Sequence, residues 1–258
     1  MTTPFRQTTI IIFTVLLYSK SYAQDTITSN FYNQIKTYNL AKIWTAKSFL
    51  IEDGSEKVER AEILGFIGDN YQRFFIHINK VRRNPINPYE YIVSGKTKVR
   101  GIICSFQGKI KVKQARVYKI GDIPIYKQGF ATCYVILYEN KKQSSAGFIK
   151  GELKTNFLID NKGQFRYDAI SFVADGFSNN QFIGNWTSYK TYKTKKCNWG
   201  DYRIPECDWQ NGCDIGAGEF SISDKYIKNG WENYRLAYGP DTPESVKARK
   251  KEDELWWK

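Results

Sequence analysis

Tyr89-Glu90-Tyr91-Ile92-Val93-Ser94-Gly95-Lys96-Thr97-Lys98-Val99-Arg100, followed at once by Gly101-Ile102-Ile103-Cys104-Ser105-Phe106-Gln107-Gly108-Lys109-Ile110-Lys111-Val112-Lys113, is the stretch on which the fold turns. One parity of the first half carries Tyr89, Tyr91, Val93, Gly95, Thr97 and Val99, and the other carries Glu90, Ser94, Lys96, Lys98 and Arg100. The second half repeats the pattern, with Ile102, Cys104, Phe106, Gly108, Ile110 and Val112 against Lys109, Lys111 and Lys113. Successive side chains of a strand point to opposite faces, so a period of two marks a strand with one face on a core and one in water. Residues 89–100 and 102–112 read as two such strands, with Gly108 marking a bulge or bend.

The same reading extends outward to residues 43–51, 59–67, 71–79, 130–138, 148–159, 165–174 and 182–190. Asp53-Gly54, Gly68-Asp69-Asn70 and Asp160-Asn161-Lys162-Gly163 supply the residues that tolerate hairpin geometry. About nine strands with short links, and no long amphipathic helix between them, predict an all-β protein: an antiparallel barrel or sandwich with an irregular Trp/Cys-rich C-terminal region. A short helix is expected over residues 31–38, capped by Ser29 or Asn30, and a second from Pro243 toward Trp257, capped by Thr242. Residues 80–88 and 121–129 read as long loops. The organisation is then a β domain over 24–196, an extension of that domain over 197–240, and a charged tail over 241–258.

The first 23 residues resemble a secretory signal peptide: Arg6, the apolar run 10–17, and Ser21-Tyr22-Ala23 at the expected cleavage point. The uncharged stretch 7–19 falls well short of the roughly 20 residues that span a bilayer, which favours cleavage over anchoring. Export to the periplasm or the extracellular medium, as a soluble product, is the expectation. Cleavage removes only Arg6 and Lys20, lowering the formal charge from +13 to +11. A basic surface favours polyanions. Neither zinc-finger spacing nor a recognition helix is present, so nucleic acid is set aside as a partner and a glycan or an anionic envelope component preferred.

In an oxidising compartment the five cysteines, at 104, 133, 197, 207 and 213, read as disulfide material with at least one thiol left over. Cys207 and Cys213 bracket a turn-rich loop that a bridge would close, while Cys104 and Cys133 lie on apolar parities and fit either a bridge or a reduced core. Zinc-ligand spacing is absent, and no metal or cofactor is expected. His77 is the only histidine and sits in no motif, which leaves little room for a histidine-based triad. Gly95-Lys96-Thr97 lacks the earlier glycine of a phosphate loop, because Glu90 stands there.

Two functional readings remain. Asp168, Asp175, Asp201, Asp208, Asp214 and Glu219 offer carboxylates for a secreted hydrolase, with Asp201 and Glu219 as the test pair. The aromatic C-terminal segment offers a binding site instead. Trp199, Trp209 and Trp231 would stack on sugar faces, Asp201, Arg203 and Asn233 would orient hydroxyl or acidic groups, and Tyr202 is an aromatic member of the same expected binding site. Binding without catalysis is the preferred expectation, and a surface-assembly component a third. Gly184-Asn185-Trp186 resembles the Gly-x-Trp signature of lipocalin-type barrels, a family that carries small apolar ligands. That family has the motif in its first strand, whereas here it lies late in the chain without the second signature, and no ligand site is carried over. Asn185-Trp186-Thr187 also matches an N-glycosylation acceptor.

Overall fold

The computed structural model describes residues 27–51 and 56–258. The proposed signal peptide and the Asp53-Gly54 turn lie outside the described residues. Strands β1 (Thr28–Asn30), β2 (Ser48–Ile51), β3 (Glu56–Glu59), β4 (Leu64–Ile67), β5 (Gln72–Arg73), β6 (Phe75–Arg83), β7 (Glu90–Val99), β8 (Ile102–Tyr118), β9 (Lys127–Glu139), β10 (Gly147–Ile159), β11 (Phe165–Tyr167), β12 (Asn179–Ser188) and β13 (Thr194–Asp201) dominate the chain. Nine of them form one curled antiparallel sheet, a half-barrel, in the order β5-β4-β13-β12-β10-β9-β8-β7-β6. β1 pairs with the end of β8, β11 with the end of β10, and β2 with β3 in a separate hairpin. The two edges of the sheet, β5 and β6, are separated in sequence only by Phe74, whose amide donates to Gly65 O at 2.9 Å. The curl thus brings both edges onto one continuous piece of chain.

The opening stretch behaves as its alternation demands. Tyr91, Val93, Phe106, Ile110 and Val112 are buried inside the curl and the intervening lysines face out. Burying side chains of this size contributes on the order of 1.5–3 kcal/mol each. Gly108 pairs regularly with Val93 and Leu137, and the irregularity in β8 falls at Val112/Gln114 instead. Glycine is needed at several inward positions because rings lie flat on the backbone. At Gly184, opposite Gly151, a Cβ would collide with Lys150 O and the Phe182 ring, and at Gly147 it would sit 2.6 Å from Trp186 Cε2.

The N-terminal helices α1 (Tyr32–Ile35) and α2 (Ala41–Trp44) fill one end of the curl with Ile35, Leu40, Ile43 and Trp44. Trp44 donates Nε1–H to Thr155 Oγ1 at 2.8 Å and meets Tyr91 edge-on. Several expected strands are interrupted for identifiable reasons. Residues 41–44 are helical, with the Asn39 side chain accepting from Ala41 N. The run 59–67 breaks because the Arg60 guanidinium turns inward to Asp201 and to backbone carbonyls. Beyond Tyr167, Asp168 accepts from Ile170 N and the chain continues in turns rather than to residue 174. The expected 80–88 loop is shorter, since β6 continues to Arg83, and β9 starts at Lys127 inside the expected 121–129 loop.

β13 enters the Trp/Cys-rich segment, pairing between β12 and β4. The rest of that segment builds a second core on the outer face of β4, where Phe66 meets Ile204, Phe220, Ile222, Tyr226 and Trp231. The Cys207–Cys213 disulfide is present within it, and Cys104, Cys133 and Cys197 are buried free thiols. A short helix α3 (Glu232–Ala237) leads to α4 (Pro243–Glu252), where Thr242 and Ser245 form the reciprocal cap expected of Thr242. Among the described residues no helix is long and apolar enough to cross a membrane.

Candidate functional site at the mouth of the half-barrel

Four hairpins, β4–β5, β7–β8, β9–β10 and β12–β13, converge at the end of the curl opposite α2. They enclose a cup of 330 Å³. Its apolar wall comes from Ile67, Phe74, Val99 and the Trp186 indole, and its polar groups are Asn70, Gln72, Thr97, Arg100, Glu139 and Lys195. Small-molecule sites commonly combine such a wall with a few convergent polar groups.

Glu139 forms the floor and is 5% exposed. Its Oε2 accepts from Gly147 N at 2.7 Å and from Trp186 Nε1 at 2.9 Å, while Oε1 accepts from Thr97 Oγ1. Three donors fix the carboxyl group, and Glu139 in turn fixes the indole plane. The Cys104 thiol also faces the cup, donating to Ser144 O at 3.5 Å, and burial together with the nearby Glu139 pushes it up to about 11. At the rim the β7–β8 hairpin turns on two residues, Arg100 at φ 47° and Gly101 at φ 81°, as a type I′ turn requires. Arg100 is strained there for want of a glycine or asparagine. Its Nε donates to Gln72 Oε1 at 2.7 Å, and Gln72 is anchored by donating to Asn229 O at 2.6 Å.

The residues singled out from sequence are not gathered in the cup. Trp199 is buried in the main core, stacked on Phe182 at 3.6 Å. Trp231 is buried in the second core and donates to Tyr71 O at 2.8 Å. Neither presents an indole face to solvent. Asp201 lies 1% exposed at the far end of the curl, ion-paired to Arg60 at 2.6 Å and accepting from Tyr167 OH and Asn180 Nδ2. Beside it Tyr202 is half-buried among Phe49, Phe172 and Phe177, and burial pushes its hydroxyl up to about 12.

Arg203 pairs with Asp214 and reaches the carbonyls of 216–218, holding the loop of the second core. Asn233 joins α3 to α4 through Ala248 O and Glu252. Trp209 alone stands out, 76% exposed. Of the acids considered for hydrolysis, Asp168 shares the Gln128 amide with Asp122 and Glu219 is exposed; neither lines the cup, whose acid among the described residues is Glu139. His77 stacks on Trp257 at 3.7 Å beside Glu62, outside the cup.

Glu139 was missed by sequence reasoning, although a signal existed: it continues the inward parity Ala131, Cys133, Val135, Leu137 of β9, where a charge is out of place. No family model, characterised protein or solved structure matches the chain. The chemistry of the cup therefore carries the functional reading.

Proposed function

We propose that the chain is an exported, non-catalytic binding protein that holds one unit of a glycan or other cell-envelope component in the cup at the mouth of the half-barrel. The observation that carries this reading is the Trp186 indole, fixed by Glu139 against an apolar wall and ringed by side chains able to donate and accept. A sugar ring needs both, an aromatic surface for its C–H face and polar partners for its hydroxyls. The cup also matches the lower end of small-molecule site volumes, about 300–1,000 Å³, which suits a single ring better than a long oligomer. In place of the C-terminal tryptophans first considered, Trp186, Glu139, Thr97 and Gln72 do the holding.

The indole N–H resonance of Trp186, assigned by its loss in Trp186→Phe, should shift saturably when monosaccharides are titrated. A panel of neutral and acidic sugars that leaves that resonance in place would overturn the reading. Export is tested separately: the mature protein should begin at Gln24.

A further inference from the structure

Resting on that reading, we infer that the ligand is an acidic sugar, bound with its hydroxyl-bearing ring on Glu139 and its carboxylate or phosphate outward between Arg100 and Lys195. The cup is polarised along its depth. Its floor is an acceptor that attracts hydroxyl donors, and its rim carries two cations.

The remaining guanidinium nitrogens of Arg100 and the Lys195 ammonium have no hydrogen bond or ion pair among the described residues. Arg100 is nevertheless not a loose surface side chain. Gln72, itself tied to Asn229 O, holds its Nε and sets the guanidinium at the opening. The backbone at Arg100 departs from what the turn prefers, so the side chain is kept where asparagine would suit the fold better. An anion at the rim gains charge-assisted hydrogen bonds from a planar fork and an ammonium. Three protein donors engage the Glu139 carboxyl group and leave it capacity for one further hydroxyl donor, while the anionic group would sit on the solvent side beside the two rim cations rather than on the floor. An alkyl chain fits the floor poorly, since it offers that acceptor nothing.

Calorimetry with glucose, glucuronate, glucose 6-phosphate and octanoate, at low and high salt, tests the inference on wild type, Arg100→Asn and Lys195→Ala. Both acids should bind about tenfold or more tightly than glucose, the gain expected of one or two charge-assisted contacts. The preference, read as the ratio of acid to glucose affinity within each protein, should shrink toward unity in each variant and at high salt; if only one of the two acids shows it, the arms identify carboxylate or phosphate as the recognised group. Equal affinity for glucose and both acids would overturn the acidic-ligand inference and leave the binding site standing. Failure of all three sugars would overturn the glycan reading itself, and binding of octanoate alone would make the cup a lipid site and sink both.

Discussion

Trp186 Nε1 donates to Glu139 Oε2 at 2.9 Å across the floor of the cup, joining β12 to the end of β9 although the two strands are separated in the sheet by β10. The carboxyl group at this junction serves three donors, so its removal leaves a hydroxyl, an indole N–H and a backbone N–H without their acceptor. Glu139→Ala should cost about 2–4 kcal/mol in urea unfolding, the range for orphaning buried donors. Glu139→Gln should cost less than half as much, because its oxygen can still serve Gly147 and Trp186 while its amide donates to Thr97. Equal losses for the two variants would mean that side-chain volume, not the bonds, holds the mouth together.

Arg100 gives a prediction of opposite sign. Arg100→Asn creates the Asn-Gly pair that a type I′ turn favours; asparagine adopts the left-handed region readily, whereas other side chains are strained by about 1 kcal/mol or more there. The melting temperature should therefore rise by a few degrees even as the acidic-sugar preference falls. A variant that loses both stability and selectivity would show that Arg100 is structural.

At Gly184 the Phe182 ring occupies the space a side chain needs, its Cζ lying 2.5 Å from the position of a Cβ. Gly184→Ala should destabilise by about 1–3 kcal/mol, the usual cost of overpacking a tight core. Combining it with Phe182→Leu should lose less than the sum of the two single changes, which chemical denaturation of the four proteins measures.

The thiols respond to burial. Denatured, non-reduced protein should give three reactive thiols, those of Cys104, Cys133 and Cys197, since Cys207 and Cys213 are bridged. In the native state burial raises all three, Cys104 to about 11, so alkylation near neutral pH should be slow and should accelerate first at Cys104 as the pH climbs. Mass spectrometry of time-resolved alkylation tests the order. Prompt labelling of Cys133 or Cys197 ahead of Cys104 would contradict it.

The C-terminal helix supplies the pH dependence. Burial pushes the Glu252 carboxyl up, but the hydrogen bonds and charge of Arg73, helped by Asn233 and Lys98, outweigh it and hold the group below its ordinary value. A carboxyl depressed in the folded state contributes stability above the unfolded value, and that contribution is lost as pH falls through the folded value. α4 should therefore loosen in acid, below about pH 4.5. Trp256, against Phe75, and Trp257, on His77, will report it by fluorescence. In Glu252→Gln the acid step should vanish.

Much of the β architecture was legible because burial on one face writes a period of two into the chain, as in residues 89–112. What escaped has physical causes. β13 was hidden because its inward positions run Cys197, Trp199, Asp201, and the last of these is satisfied by an arginine that no local pattern connects to it. The helix at Ala41–Trp44 was hidden in an apolar run that helix and strand share equally. Composition identified the tryptophans as aromatic surface near polar groups, yet it cannot separate a site from a core, and Trp199 and Trp231 fill cores. The cup itself is made by residues from four hairpins whose convergence only the curl of the sheet produces.

The meeting of β5 and β6 at Phe74 has a kinetic consequence. Within the sheet, β6 to β10 pair with their sequence neighbours, so a meander can zip locally as the chain emerges. Closure instead places Ile67 opposite Cys197, 130 positions later. Until those last strands arrive, the concave face of the meander, with Val93, Val135 and Leu137, stays open to other chains. High contact order at this one seam makes the pairing of β13 with β4 the slow and aggregation-exposed step.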